Sequence, residues 1–147
     1  MDFKNMFSFL GKTKSGDQSH IKNLIEVALA DGHFSDEELE LITSIAKKKG
    51  ISPREIESIQ KDLANIQFEL PDDSRSKFHQ VYDLIHVMLS DKVVHDNEMK
   101  LCYQFINKFG YPPEKSTERI KIIRSNIENG QGPDETMARV NFAFRFQ

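Results

Sequence analysis

Two short acidic stretches with matching residues are the strongest sign of chemistry in this sequence. They cover residues 30–38 and 90–98, and the second lies sixty positions after the first. Oxygen ligands of the carboxylate type suit calcium or magnesium. The pattern therefore predicts a divalent-cation site, provided that the two stretches meet in space. The candidate ligands are Asp31, Glu38, Asp91 and Glu98, with Asp36 and Asp96 nearby.

The same residues also have an ordinary structural interpretation. Asp31 and Asp91 are predicted to follow helix C-terminal ends, where a carboxylate faces the negative end of the helix dipole at a cost of up to about 1 kcal/mol. Each Asp could offset this cost by accepting hydrogen bonds from backbone N–H groups of its own turn. Glu38 and Glu98 could each close a capping box at the start of the next helix. Both interpretations stay open, and titration with cations would separate them.

The composition is typical of a globular protein and narrows the range of functions. Of the 147 residues, 38% are hydrophobic and 29% are charged, which is enough for a substantial core. The net charge of -3 argues against a nucleic-acid surface, because such a surface needs a basic stripe. No apolar run reaches the roughly 18 residues of a membrane span. Cys102 is the single cysteine and excludes a disulfide within the chain, so we expect a cytoplasmic location.

Apolar residues recur at helical spacing along most of the chain, and no alternating strand pattern is found. The sequence therefore predicts an all-α fold, a compact domain of about seven helices. Capping-box patterns that begin at Ser35 and Ser52 mark two helix starts. We expect a short helix and linker over residues 1–16 and the helical domain over residues 17–147.

The helical domain is predicted to contain a duplicated three-helix unit. An offset of 60 aligns residues 24–53 with residues 84–113 without a gap, and 11 of these 30 positions are identical. Unrelated segments of ordinary composition would share about two. We place repeat 1 at about 19–70, repeat 2 at about 79–130 and a closing helix at 133–147. The two units are expected to pack their apolar stripes together about a pseudo-two-fold axis.

The first acidic stretch and its flanking helices resemble a known family. The pattern Leu-Ile-x-Val-x-Leu-Ala-Asp-Gly-x-Phe-Ser-x-x-Glu over residues 24–38, continued by Ile45-Ala46 and Gly50, is similar to that of TerB-like proteins. These are the tellurite resistance protein TerB and the N-terminal domain of membrane-anchored DnaJ-type co-chaperones. The resemblance covers roughly Ser19 to the end of the chain.

This resemblance implies an all-helical, internally duplicated domain with a link to tellurite and stress resistance. It also implies a cation at the shared acidic residues, as has been proposed for the family. The second copy departs from the family pattern, because Ser90 and Lys92 replace the Ala and Gly of the first copy.

Other reactive residues give weaker signals. His79, Asp83 and His86 lie on one helix flank at a spacing that can hold zinc or nickel, although a solvated polar face is the simpler interpretation. Cys102 lies among apolar residues and is interpreted as a small buried side chain. No nucleophile motif, phosphate loop or dinucleotide fingerprint is present, so we expect no enzymatic activity.

Aromatic residues at both ends of the chain predict contacts with other proteins. The candidate contact residues are Phe3, Phe7, Phe142 and Phe146. The N-terminal segment is also a candidate for peripheral association with a membrane surface. The leading interpretation is a non-enzymatic interaction module of the stress response with a divalent cation at its acidic turns. The alternative is a purely structural helical scaffold, or a partner-binding adaptor, with no metal.

Overall fold

The computed structural model describes residues 14–91 and 93–145. These residues form seven α-helices and one 3₁₀ turn and contain no strand, which confirms the predicted all-α fold. In chain order the helices are α1 (Ser15–Leu29), α2 (Asp36–Lys48), α3 (Pro53–Lys61), α4 (Ser74–Leu89), α5 (Asp96–Lys108), α6 (Pro113–Glu128) and α7 (Pro133–Ala143), with the 3₁₀ turn at Leu63–Asn65.

Local sequence explains where the helices of the first repeat begin. At the start of α2, the Glu38 backbone N–H donates to Ser35 Oγ, and the Ser35 backbone N–H donates to Glu38 Oε1. Ser52 and Glu55 form the same capping box at the start of α3, as predicted. The start of α5 is different, because its N-cap residue His95 makes no side-chain capping hydrogen bond.

Equivalent glycines end α2 and α5. Gly50 has φ +77° and Gly110 has φ +91°, a left-handed conformation that side chains with a Cβ rarely adopt. The next residue then donates back into the helix: Ile51 N–H lies 2.9 Å from Ala46 O, and Tyr111 N–H lies 3.3 Å from the equivalent carbonyl of α5. These matching turns send α3 and α6 away from α2 and α5 in the same manner.

Helices α1 and α4 form the centre of the molecule and pack against each other. Their apolar faces are almost completely removed from water, and fully burying one such side chain stabilises the fold by about 1.5–3 kcal/mol. The completely buried apolar residues of these helices are Ile21, Leu24, Ile25, Val27 and Ala28 in α1 and Leu84, Ile85, Val87 and Met88 in α4. This packing joins the two repeats, and each of the two helices leads directly into one of the acidic stretches.

Several predictions about the chain ends differ from the structure or fall outside it. Helix α1 begins at Ser15, inside the segment predicted as linker, and α7 ends at Ala143 rather than running through 133–147. Phe142 is 69% exposed. Phe3, Phe7 and Phe146 lie outside the described residues, as does most of segment 1–16. None of the helices in the described part of the chain is both long and apolar enough to cross a membrane.

Candidate metal centre

Asp31 and Asp91 occupy the turns that follow α1 and α4, and one oxygen of each has a structural role. Asp31 Oδ1 accepts a hydrogen bond from the backbone N–H of His33 at 3.0 Å. Asp91 Oδ1 accepts one from the backbone N–H of Val93 at 3.1 Å. The turns therefore use the Asp side chains as the structural interpretation predicts. The Oδ2 atom of each Asp takes no part in these turn hydrogen bonds. The side chain of Asp31 is only 12% exposed and that of Asp91 only 11%.

The two carboxylate oxygens of Glu38 also have different surroundings. Its Oε1 accepts the capping hydrogen bond from the Ser35 backbone at 2.9 Å. Its Oε2 is buried and has no hydrogen-bond partner among the residues that the structure describes. Because the side chain is almost fully buried, this oxygen cannot be satisfied by bulk water.

Glu98 holds the equivalent place in the second repeat, where the N-cap side chain forms no capping hydrogen bond. His95 replaces Ser35 at the N-cap, so no hydroxyl is present to complete a capping box. Glu98 is completely buried, and neither of its carboxylate oxygens finds a hydrogen-bond partner within residues 14–91 and 93–145. A buried carboxylate in this condition is costly unless a proton or a cation satisfies it.

His95 connects the turns of the two repeats. Its Nε2 lies 3.0 Å from Asp31 Oδ2, across the repeat boundary. It also lies 4.0 Å from Asp91 Oδ2 and 4.0 Å from Glu98 Oε1. The imidazole is 40% exposed, so it covers the cluster from the solvent side.

These contacts bring the predicted residues into two overlapping groups of metal-binding geometry. One group is Asp31, His95 and Glu98, and the other is Glu38, Asp91 and Glu98. Within each group, one ligand atom per residue lies within 4.8 Å of the others. Two ligands of one Ca²⁺ ion, each at about 2.3–2.6 Å, can be separated by at most about 5 Å. Each group therefore has the dimensions for a single cation.

Burial and the crowding of negative charge raise the pKa of both glutamates. Burial, and after it the negative charges of Glu38, Asp91 and Asp31, raise the pKa of Glu98 to about 8. Burial also raises the pKa of Glu38, but hydrogen bonds with Ser35 oppose the increase. The backbone N–H of His95 lowers the pKa of Glu98 as well, but the Ser35 hydroxyl has no counterpart there.

The structure thus brings Asp31, Glu38, Asp91 and Glu98 together at one place. Asp36 and Asp96, predicted to lie nearby, are exposed first residues of α2 and α5 and belong to neither group. His95 was not predicted as a member of the cluster. Its signal in the sequence is the substitution of the capping Ser35 by a residue that rarely caps helices.

The second metal site considered from the sequence, at His79, Asp83 and His86, does not form. His79 Nε2 lies 2.8 Å from Asp134 Oδ1, and Asp83 Oδ2 lies 2.8 Å from Nε2 of the buried His20. His79, Asp83 and His86 form no three-residue metal group within the part of the chain that the structure describes. Burial lowers the pKa of His86, which favours its neutral form.

Cys102 is fully buried, as predicted. Burial raises the pKa of its thiol to about 12, so the reactive thiolate form is suppressed at neutral pH. The side chain therefore serves as a small apolar element of the core.

The fold and the site together define a class of protein: an all-helical domain whose acidic turns meet in a compact, metal-competent cluster. The family model for the tellurite resistance protein TerB matches residues 2–61, which include Asp31 and Glu38. The match covers 60 of the 147 residues, so it shows a similarity to TerB within the first part of the chain. No curated protein and no solved structure matches the chain.

Proposed function

We propose that this chain is a non-enzymatic, TerB-like interaction module of tellurite and stress resistance that binds one divalent cation, calcium or magnesium, at its paired acidic turns. The observation that carries the proposal is Glu98, a completely buried carboxylate with two oxygens that lack hydrogen-bond partners in the described residues. Three other carboxylates surround it, and each keeps one oxygen free of its own turn or cap.

A cation at this site would reduce the repulsion among the clustered carboxylates. Four carboxylates in one cluster repel one another, and a buried charge without a partner costs several kcal/mol. The raised pKa of Glu98, about 8, means that the metal-free protein holds a proton there near neutral pH. Metal ligands must be deprotonated, so a cation would displace that proton and neutralise the cluster more completely.

The ligand set supports a hard cation. Glu38, Asp91 and Glu98 supply only oxygen atoms and form the more buried of the two groups. The group that contains His95 would add one nitrogen ligand, which zinc accepts readily. Zinc is therefore a necessary arm of the test.

The proposed role follows from where the cluster lies. A cation would tie the turn after α1 to the turn after α4 and so fix the two repeats at their junction. The module would then present a cation-dependent surface to other proteins. The exposed ring of Phe142 supports a second protein contact, away from the cation site.

Calorimetric titration of the chelator-stripped full chain with Ca²⁺, Mg²⁺ and Zn²⁺ tests this proposal. We expect one site per chain for Ca²⁺ or Mg²⁺ and a loss of affinity of about tenfold or more in Glu98→Gln, which keeps the shape and removes the charge. Asp96→Asn is the matched control, because this exposed acid lies two residues away and outside the cluster.

Two results would contradict the proposal. Absence of heat with every cation would favour the scaffold without metal. Binding of Zn²⁺ alone would overturn the choice of calcium or magnesium and assign the site to the group that contains His95.

A further inference from the structure

A cavity of about 340 Å³ lies between the start of α4, the end of α5 and helices α6 and α7. It shares no residue with the metal centre. Its described lining contains two cationic side chains, several apolar ones and no acid. The lining residues that matter here are Lys77, Phe109, Tyr111, Arg119, Met137 and Val140.

Arg119 is held in place by aromatic rings rather than by an acid. Its guanidinium carbon lies 4.9 Å from the ring centre of Tyr111 and 4.6 Å from that of Phe144. No carboxylate pairs with it among the described residues, and its Nε is buried without a hydrogen-bond partner. The rings stabilise and orient the cation, but they supply neither a counter-ion for its charge nor an acceptor for its Nε–H.

Lys77 is a second cation of this cavity that lacks a carboxylate partner within the described ranges. The first repeat shows the contrast. The equivalents of Lys77 and Phe109 are Asp17 and Lys49, which form an ion pair of 3.7 Å in a separate polar cavity. The second repeat has therefore replaced a neutral ion pair by one cation and one aromatic ring.

We propose that this cavity binds a small organic acid, namely a carboxylate attached to an aromatic or other apolar group. The guanidinium of Arg119 is suited to donate two parallel hydrogen bonds to the carboxylate. The ring of Phe109 and the side chains of Met137 and Val140 supply an apolar wall for the rest of the ligand. The volume lies at the lower end of the range of about 300–1,000 Å³ for ligand sites, so the ligand is small.

Such a carboxylate has two sources, a free organic acid or the C-terminus of a peptide that ends in an aromatic residue. Titration of the full chain followed by amide NMR shifts tests both, with phenylacetate in one arm and the peptide Gly-Gly-Phe in the other. The neutral controls are phenylacetamide and the C-terminal amide of the same peptide. Acetate and inorganic phosphate test whether the apolar group is needed.

We expect saturable shifts at residues of the cavity with at least one of the two carboxylates and about tenfold or greater weakening in Arg119→Gln. Lys77→Gln should also weaken binding. Lys121→Gln, which removes an exposed cation from the same helix α6, should leave the affinity unchanged.

Three results would overturn the proposal: no saturable binding of either carboxylate, equal binding of the neutral amides, or equal binding of acetate or phosphate. Circular dichroism would show whether Arg119→Gln still folds. If it does not, Lys77→Gln decides, and an affinity equal to that of the wild type in that variant would contradict the proposal.

Discussion

Glu38 and Glu98 occupy equivalent positions of the two repeats and experience different surroundings. Glu38 has hydrogen bonds with both the backbone and the hydroxyl of Ser35, whereas His95 has no hydroxyl to offer Glu98. Burial raises the pKa of both, but only that of Glu98 reaches about 8. Without the capping hydroxyl, Glu98 has less to offset burial and the neighbouring charges than Glu38 has.

The raised pKa of Glu98 predicts a pH dependence of stability in the metal-free protein. A native pKa of about 8 against an ordinary value of 4.5 means that the native state binds more protons than the unfolded state between these pH values. The free energy of unfolding should therefore fall as the pH rises, by about 2–3 kcal/mol from Glu98 between pH 5 and pH 7.

Urea denaturation in the presence of a chelator measures this effect. Glu98→Gln should be less sensitive to pH over this range, whereas Asp96→Asn should keep the slope of the wild type. A slope in Glu98→Gln equal to that of the wild type would show that Glu98 is not the group that titrates.

At the scale of the element, the N-terminus of α2 links helix capping to the cluster. Ser35 satisfies a backbone donor of α2 and also holds Glu38 in a fixed orientation. The capping box at the start of α3, formed by Ser52 and Glu55, has the same chemistry but lies exposed and outside the cluster. The two boxes therefore allow the structural and electrostatic effects of a cap to be separated.

Ser35→Ala and Ser52→Ala should each lower the free energy of unfolding by about 1 kcal/mol, since each removes an N-cap. Only Ser35→Ala should also raise the pKa of Glu38, because the hydrogen bond with the Ser35 hydroxyl, which this variant removes, now lowers it. Carboxyl-carbon NMR titration measures that pKa. An unchanged Glu38 pKa in Ser35→Ala would mean that the cap does not control its charge.

The elements were largely predictable from the sequence, because their signals are local. The capping boxes at Ser35 and Ser52, the prolines that begin α3, α6 and α7 and the glycines that end α2 and α5 act within one turn of the chain. The first turn of α1 was missed, because Ser15 and Gly16 resemble a linker in composition. Helix α7 ends at Ala143 although apolar residues continue beyond it.

The site was predictable only in part. The doubled pattern indicated Asp31, Glu38, Asp91 and Glu98, but their convergence depends on how α1 packs against α4. The contact of His95 with Asp31 was not predictable, because the two residues are far apart in the sequence. The surroundings of Arg119 were not predictable either. Its two aromatic neighbours and the absence of a described carboxylate beside it depend on the tertiary structure.

At the scale of the whole molecule, the contact between α1 and α4 makes the two repeats one structural unit. Leu24 and Leu84 are equivalent residues of these helices, and both are completely buried. The pair of His20 and Asp83 adds a polar contact of 2.8 Å between the same two helices. If one repeat unfolds, the buried apolar face of the other repeat therefore becomes exposed to water.

This coupling predicts a single cooperative unfolding transition. The three tyrosines of the chain, Tyr82, Tyr103 and Tyr111, all lie in the second repeat, so tyrosine fluorescence reports on that repeat alone. Leu24→Ala, in the first repeat, should destabilise the protein by about 2–5 kcal/mol. Its fluorescence and far-UV circular dichroism transitions should shift together to lower urea concentration. A fluorescence midpoint that stays at the wild-type value would show that the repeats unfold independently.

The central claim is that acidic residues from both repeats bind one cation, and Mn²⁺ tests it most directly. Mn²⁺ accepts the same oxygen ligands and broadens NMR signals of nearby nuclei. At substoichiometric Mn²⁺ the amides of His33 and Val93, one in each acidic turn, should broaden together, and Ca²⁺ or Mg²⁺ in excess should restore them. Glu98→Gln should abolish the broadening at both turns. Broadening at one turn alone, or equal broadening in Glu98→Gln, would contradict a shared site.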